Sequence, residues 1–382
     1  SSSVSRPTCR APSSSPPPHR PPRLAMATRG LEGWHAAHSE RFGAERWQDL
    51  HHAMHREVDP LLFLNPFLPP IVAETLEEEY SLVPSSVPGA YSFEMPENPT
   101  FQCRLEEFPH ENAFFVEVQG PAGDGVSPFA LLEGAQLLVA HALQVEEGDE
   151  VLDACAAPGG KALVLAGALF ARAAAEGRRL TGRLVANESS KRRAAELQRV
   201  VRRYAHPVVF EAHGGGAAHI IFTSADLSTP SNSMERNGPY DRILLDVPST
   251  NDHVLLKGHG ANTLEQWSMG KLKVHADKQV KLLHNALWLL KEGGIVLYSV
   301  TALSKEETDD VIEAVVRKAS GKFVLEILPL DQHILCMVPA LAAEQTHWGT
   351  HLLPDTSGFG PRYFSRIRLV KRTHAAVEHL RW

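Results

Sequence analysis

Three stretches of the sequence put polar side chains where apolar runs end. The first is Asp246-Val247-Pro248-Ser249, closing the run YDRILLD. A carboxylate at the carboxyl end of a strand, followed by a turn that proline stiffens, holds a polar group over a pocket and aims the next side chain, Ser249, into it. A serine hydroxyl becomes a nucleophile only when an adjacent base takes its proton, and no His or Lys stands next to this motif in sequence. The second stretch is DACAAPGGK, residues 153–161, in which an acid and small residues lead to Gly159 and Gly160, with Lys161 just behind. Glycines let backbone approach a ligand closely, and a helix beginning there offers N–H groups with no partner of their own. The third is Asn187-Glu188, a carboxylate placed to accept from two ribose hydroxyls. Asp226, after the next apolar run, is placed to accept from an adenine amino group.

The glycine turn reads A-P-G-G instead of G-x-G-x-x-G, so no pyrophosphate cradle is present and S-adenosylmethionine is favoured over a dinucleotide. A cation at a helix amino terminus opposes the helix dipole and calls for a carboxylate, and Asp246 is the candidate partner of Lys161. The elements that must position these residues follow from periodicity. Strands are expected at 150–155, 182–188, 219–226, 241–246 and 294–300, with helices at 33–57, 159–177, 190–204, about 275–291 and 304–318. Strands alternating with helices predict an α/β, Rossmann-like, doubly wound and mostly parallel sheet that binds ligands at the strands' carboxyl ends. Residues 58–130 are mixed, with Pro and Gly breaking any long period. Two glycine-rich insertions, HGGGAAH (213–219) and KGHGANT (257–263), read as loops on the ligand side.

The whole chain narrows the function classes. Its 382 residues carry 45 acidic and 38 basic side chains, a net charge of −7, so nucleic acid must be met by local patches. Two are available: Arg199, Arg202 and Arg203 on the 190–204 helix, and Arg366, Arg368 and Lys371 in the 362–372 segment, read as a basic tail. Cys9, Cys103, Cys155 and Cys336 form no CxxC pair, which argues against a disulfide framework and a structural zinc site. The 20 histidines are scattered, and HHAMH (51–55) lacks the Glu of a zinc-protease helix, so no metal is expected. No apolar run is long enough to cross a bilayer. The first 31 residues hold five Arg, many Ser and Pro and no acid, the composition of an organelle import leader. The expected organisation is a leader or disordered segment at 1–31, a helical and mixed extension at 32–124, a cofactor-binding domain at 125–372 and a tail at 373–382.

The ordered set SPFALLEGAQLLVAHALQVEEGDEVLDACAAPGGK, ANESSKRRAAELQ, YDRILLDVPST, GGIVLYSVTALSKEETDDVI and LLPDTSGFGPRYFSRIRLVKR resembles the Sun-domain RNA cytosine-5 methyltransferases over residues 125–370. ERFGAERWQDL and GFGPRYFSRIR are most similar to the family's mitochondrial branch, associated with the large ribosomal subunit. The resemblance implies S-adenosylmethionine contacts from Gly159, Gly160, Lys161, Glu188, Arg193, Asp226 and Asp246. Glu188 stands where the family more often has Asp. It also implies the mitochondrial matrix, large-subunit rRNA in an assembly intermediate, and a helical partner of the mitochondrial termination-factor family, since the chain shows no appended RNA-targeting module.

The same resemblance exposes a departure. The family adds a cysteine thiolate to cytosine carbon 6 so that carbon 5 can take a methyl group, and a second cysteine assists release. Ser249 and Thr301 occupy those two positions here. A cysteine of pKa about 8.5 is partly ionised at neutral pH, whereas a hydroxyl is not, and losing the nucleophile of a covalent mechanism can cost on the order of a million-fold. The expectation is a methyltransferase homologue degenerate at its catalytic positions, with Asp246 and Lys161 retained, that binds rRNA and serves ribosome assembly. The alternatives are an active rRNA methyltransferase, for instance one acting on an exocyclic amine, where DVPS bears a faint resemblance to D-P-P-Y but lacks its stacking aromatic, and a small-molecule methyltransferase.

Overall fold

The computed structural model describes residues 29–94, 102–108, 113–119, 126–211, 218–258, 263–330, 332–336 and 343–373. Residues 1–28 of the leader, most of both glycine-rich insertions and residues 374–382 lie outside the described residues.

The chain opens with α1 (Gly30–Phe42) and α2 (Ala44–Met54), where the apolar period predicts one helix. The break falls at Gly43, whose φ of +83° turns the chain back, so that Trp34, Trp47, Leu50 and Met54 close on one another and on Trp267, Leu303 and Leu353. Next comes a separate sheet built from β1 (Leu61–Leu64), β2 (Val83–Pro84), β3 (Ala90–Ser92), β4 (Gln102–Phe108), β5 (Ala113–Gln119) and β6 (Phe129–Leu132), with α3 (Pro70–Glu79) after β1. Its order is β2-β3-β1-β6-β5-β4, and every pairing is antiparallel. The sequence shows no clear period here because β1, β2, β3 and β6 are only two to four residues long and prolines fall between the strands.

The second sheet has nine strands. Helix α4 (Gly134–Ala142) leads to β7 (Glu150–Asp153), then α5 (Gly160–Ala166), which continues through a π turn into α6 (Arg172–Ala175), and β8 (Arg183–Asn187). Further on lie α7 (Lys191–Tyr204), β9 (Ile220–Thr223), α8 (Asn232–Asn237), β10 (Tyr240–Asp246), α9 (Asp252–Lys257), α10 (Met269–Leu289) and β11 (Leu290–Val300). The chain completes the sheet with α11 (Asp309–Ala319), β12 (Phe323–Leu328), α12 (Gln332–Leu335), β13 (Ala343–Gln345), β14 (Thr350–Leu352), α13 (Pro354–Ser357) and β15 (Arg362–Arg372). Strands β9-β8-β7-β10-β11 run parallel, and β15 joins antiparallel beside β11, itself pairing with β12 and β14.

Apolar residues of α4, α5 and α7 cover one face of this sheet, and Leu283, Leu287, Ile312 and Val315 of α10 and α11 cover the other. Burial on both faces explains why β10 and β11 read as continuous apolar runs. The expected basic tail is instead β15, an interior strand. Helix α10 starts six residues before its expected boundary because the Ser268 hydroxyl caps it, accepting from Lys271 N at 3.2 Å.

Candidate functional site

The carboxyl ends of β7, β8, β10 and β11 meet at one rim. Gly159 has φ +129°, which an L side chain rarely adopts, and a Cβ on Gly160 would lie 2.8 Å from Leu132 Cδ2. The turn therefore requires both glycines to bring α5 under the rim. Asn187 knits the strand ends together: its amide nitrogen donates to Ala154 O and Ala225 O, each at 3.0 Å, and its oxygen accepts from Thr223 Oγ1 and Ala225 N. Glu188, 4% exposed, accepts from Ser190 N at 2.8 Å and pairs with Arg193 Nη1 at 3.1 Å. Arg193 also donates to Ala157 O at 2.9 Å, tying the tip of β8 to the glycine turn.

Asp246 sits between two cations. Lys161 Nζ lies 2.9 Å from Oδ2, and Arg362 Nη1 lies 2.9 Å from Oδ1. Burial opposes ionisation of Asp246, but Lys161 and Arg362 outweigh it and hold its carboxyl below the usual range. A cavity of about 100 Å³ opens beside this triad, with Cys155, Arg193, Pro248 and Thr301 also on its wall. Burial, reinforced by Glu188, Asp153 and Asp246, pushes the Cys155 thiol far up, so the one described cysteine at the cavity stays protonated.

Ser249 does not present a nucleophile. Its hydroxyl donates to Thr301 O at 2.8 Å and accepts from Asn251 N at 3.2 Å. A backbone carbonyl cannot accept the proton outright, so the pairing fixes the turn without activating the oxygen.

Two buried carboxylates hold the turn from behind. Glu307 accepts from Thr250 N at 3.0 Å, from the Thr250 hydroxyl, and from Gln279 Nε2 at 2.9 Å, while Gln279 also donates to Pro248 O at 2.9 Å. Burial pushes Glu307 up to about 7; the Thr250 hydrogen bond opposes this and the charge of Asp252 adds to it. Asp252 accepts from Trp34 Nε1 at 2.7 Å, His38 Nε2 at 3.2 Å and Leu303 N at 2.8 Å, joining α1 to the start of α9 and to the loop after β11.

The other candidates fall elsewhere. Asp226 is exposed past the end of β9, its Oδ1 accepting from Ser228 N at 2.9 Å, and it does not line the cavity. Arg199 and Arg202 are exposed and Arg203 half-buried on α7, and the Arg202 guanidinium lies 4.7 Å from the Phe210 ring centre and 5.5 Å from that of Phe222. Arg366 corrects the expectation of an RNA contact: it is 5% exposed, with its guanidinium on Gln144 and Pro329 O, because alternation along an interior strand turns it inward. Arg368 pairs with Glu326 at 2.9 Å, and Lys371 is exposed. Among the described residues no cluster suited to a metal ion occurs.

Asn187, Asp252, Gln279, Glu307 and Arg362 were not singled out from sequence as parts of this site. Only Arg362 left a signal, a charge within the apolar strand that closes the chain.

The profile of the family described as 16S rRNA methyltransferase RsmB/F matches residues 140–335. The mitochondrial tRNA (cytosine(34)-C(5))-methyltransferase of Danio rerio is 28% identical over 275 residues, covering 71% of this chain and 69% of its own. The 5-cytosine rRNA methyltransferase NSUN4 of Xenopus tropicalis is 30% identical over 249 residues, 64% of this chain and 57% of its own, and that of Mus musculus is 28% identical over 252 residues, 64% and 60%. The chain thus spans less than two thirds of the length of either NSUN4 relative. Among solved structures, NSun6 from Pyrococcus horikoshii with SFG superimposes with a TM-score of 0.61 at 16% identity, over 88% of this chain and 97% of that one. The structure of PH0851 gives 0.63 at 19% identity, over 89% and 66%. These two similarities establish the fold.

Proposed function

Because the chain belongs to the RsmB/F family of rRNA methyltransferases, we propose that it is a catalytically degenerate member that binds mitochondrial large-subunit rRNA and acts as an assembly factor of that subunit in the matrix. Its cofactor is S-adenosylmethionine, which in this family supplies an electrophilic methyl group. The glycine turn and the acid at the tip of β8 suit that ligand: Glu188 would accept from the ribose hydroxyls and Asp226 from the adenine amino group, with Gly159, Gly160 and Arg193 shaping the approach. Lys161 and Asp246 would line the methyl side. A helical partner of the termination-factor family would supply RNA targeting.

The observation that carries the degenerate reading is the Ser249 hydroxyl, committed to Thr301 O with no base on it. Cytosine carbon 5 takes a methyl group only after a nucleophile has added at carbon 6, and neither this hydroxyl nor the protonated Cys155 thiol can supply it. Incubating the protein with S-adenosylmethionine and RNA containing 5-azacytidine tests this directly, since the analogue traps an enzyme only through covalent attack on the ring. RNA retained non-covalently, with no adduct surviving denaturation, is expected. A covalent complex would overturn the reading.

A further inference from the structure

A second opening, a groove of about 440 Å³, lies beside the Ser249 turn between α9 and the start of α10. Its wall combines the apolar side chains of Val254, Leu255 and Trp267 with Ser249, Lys271 and His275, and no carboxylate of the described residues lines it. Lys271, Lys273, Lys278 and Lys281 are exposed along α10 with only Asp277 against them. Burial and then the charges of Lys278 and Lys271 lower the pKa of His275, so the field at the groove is positive. Trp267 is 2% exposed, and its indole N–H has no hydrogen-bond acceptor among the described residues. A buried donor without an acceptor is uncommon, and Trp267 stands on the wall both of this groove and of a second pocket beside α1.

We propose that this groove holds one unpaired nucleotide of the RNA strand, next to the nucleotide facing Asp246, with its phosphate on Lys271 and His275 and its base against Leu255 and Val254. The assignment rests on the reading of the chain as an rRNA-binding protein and deepens it. Size decides for RNA over an acid-bearing peptide helix: the groove is too small for a helix, while cations beside an apolar wall suit a phosphate attached to a base. The Pro248–Ser249 turn borders both openings, Pro248 at the Asp246 cavity and Ser249 at the groove, so a strand crossing it would place neighbouring nucleotides in the two.

The test uses the full chain and a short unpaired RNA oligonucleotide bearing 4-thiouridine. Photo-crosslinking should label the peptide spanning residues 264–275. Lys271→Ala, at an exposed position, should weaken binding about three- to tenfold at low salt and reduce the slope of log affinity against log salt by about 0.7, the value for one lost phosphate contact on a single strand. Lys281→Ala, farther along the same helix, should leave both unchanged. RNA bound with identical affinity and slope by wild type and Lys271→Ala, or crosslinks confined to α7, would overturn the groove while leaving RNA binding intact. A peptide found in the groove that RNA fails to displace would also overturn it. No RNA binding by any variant would instead sink the rRNA reading and the groove together.

Discussion

Replacing Glu307 by Gln should change how stability depends on pH. Glu307 is fully buried, and moving its ionisation from the ordinary 4.5 to about 7, at about 1.4 kcal/mol for each pH unit, makes about 3 kcal/mol. The folded pKa is raised, so this contribution is present in full below pH 4.5 and is lost as pH rises through 7, where the unfolded chain has long given up the proton that the folded chain retains. Glutamine imitates the protonated acid. Its oxygen can accept from Thr250 N and Gln279 Nε2, and its amide can donate to the Thr250 and Ser304 hydroxyls, which rotate to accept. Urea unfolding of both proteins between pH 4.5 and 8.5 should therefore show the wild type losing about 3 kcal/mol relative to Glu307→Gln, with the change complete above pH 7. His351, lowered to about 3 chiefly by burial, runs the other way, its contribution falling as pH drops below 6.5. It is common to both proteins and cancels in the difference. Parallel profiles across this range would refute the account of Glu307 as a buried acid that ionises against its surroundings.

Asp246→Asn should destabilise the fold by about 3–5 kcal/mol, because Lys161 and Arg362 would be left buried without their anion; denaturant titration measures it, and a change under 1 kcal/mol would show that the triad is hydrated. Glu188→Ala should abolish binding of S-adenosylmethionine in calorimetry, and retained affinity would remove Glu188 from the ribose site. Reversing Arg199, Arg202 and Arg203 to Glu should weaken RNA binding and flatten its salt dependence without unfolding the chain, although losing the Arg202 contact with Phe210 and Phe222 should lower stability by about 1 kcal/mol; unchanged affinity in filter binding would exclude the α7 face.

The parallel core was legible because its strands are buried on both faces and its turns carry their own chemistry. Gly159, Glu188 and Asp246 each stand at the end of an apolar run, which is where a doubly wound sheet puts its ligand. The antiparallel parts were not legible. Four of the six strands between Leu61 and Leu132 are only two to four residues long, and β15 hides behind its arginines: Arg362, Arg366 and Arg368 alternate with Tyr363, Ile367 and Leu369, a strand pattern that a count of charges turns into a tail. The same count put Arg366 on the surface, when its partner, Gln144, lies 222 residues away in sequence. Glu307 and Asp252 were invisible for a related reason. Glu307 looks like one acid among several in SKEETDD and Asp252 like a lone acid at the start of a short helix, and only tertiary packing makes each the acceptor for a loop.

That packing explains how the turn after β10 keeps its form whatever side chain stands at position 249. The turn from Pro248 to Asp252 is held by Glu307 through Thr250, by Gln279 through Pro248 O, and by Asp252 through Leu303 N and the α1 side chains Trp34 and His38. None of these contacts involves the side chain at position 249. The Ser249 hydroxyl adds one more, to Thr301 O, that ties the loop after β10 to the loop after β11. On the cofactor side, the glycine turn and the Lys161–Asp246–Arg362 triad close without either position. The turn's other hydrogen bonds and the triad's ion pairs are thus made by groups other than the side chains at 249 and 301, so a change of side chain at those two positions leaves them in place. On the proposed reading, this surface, with its cofactor rim and its cations, serves as a scaffold for RNA without methyl transfer, because the residues that hold its form are not Ser249 and Thr301.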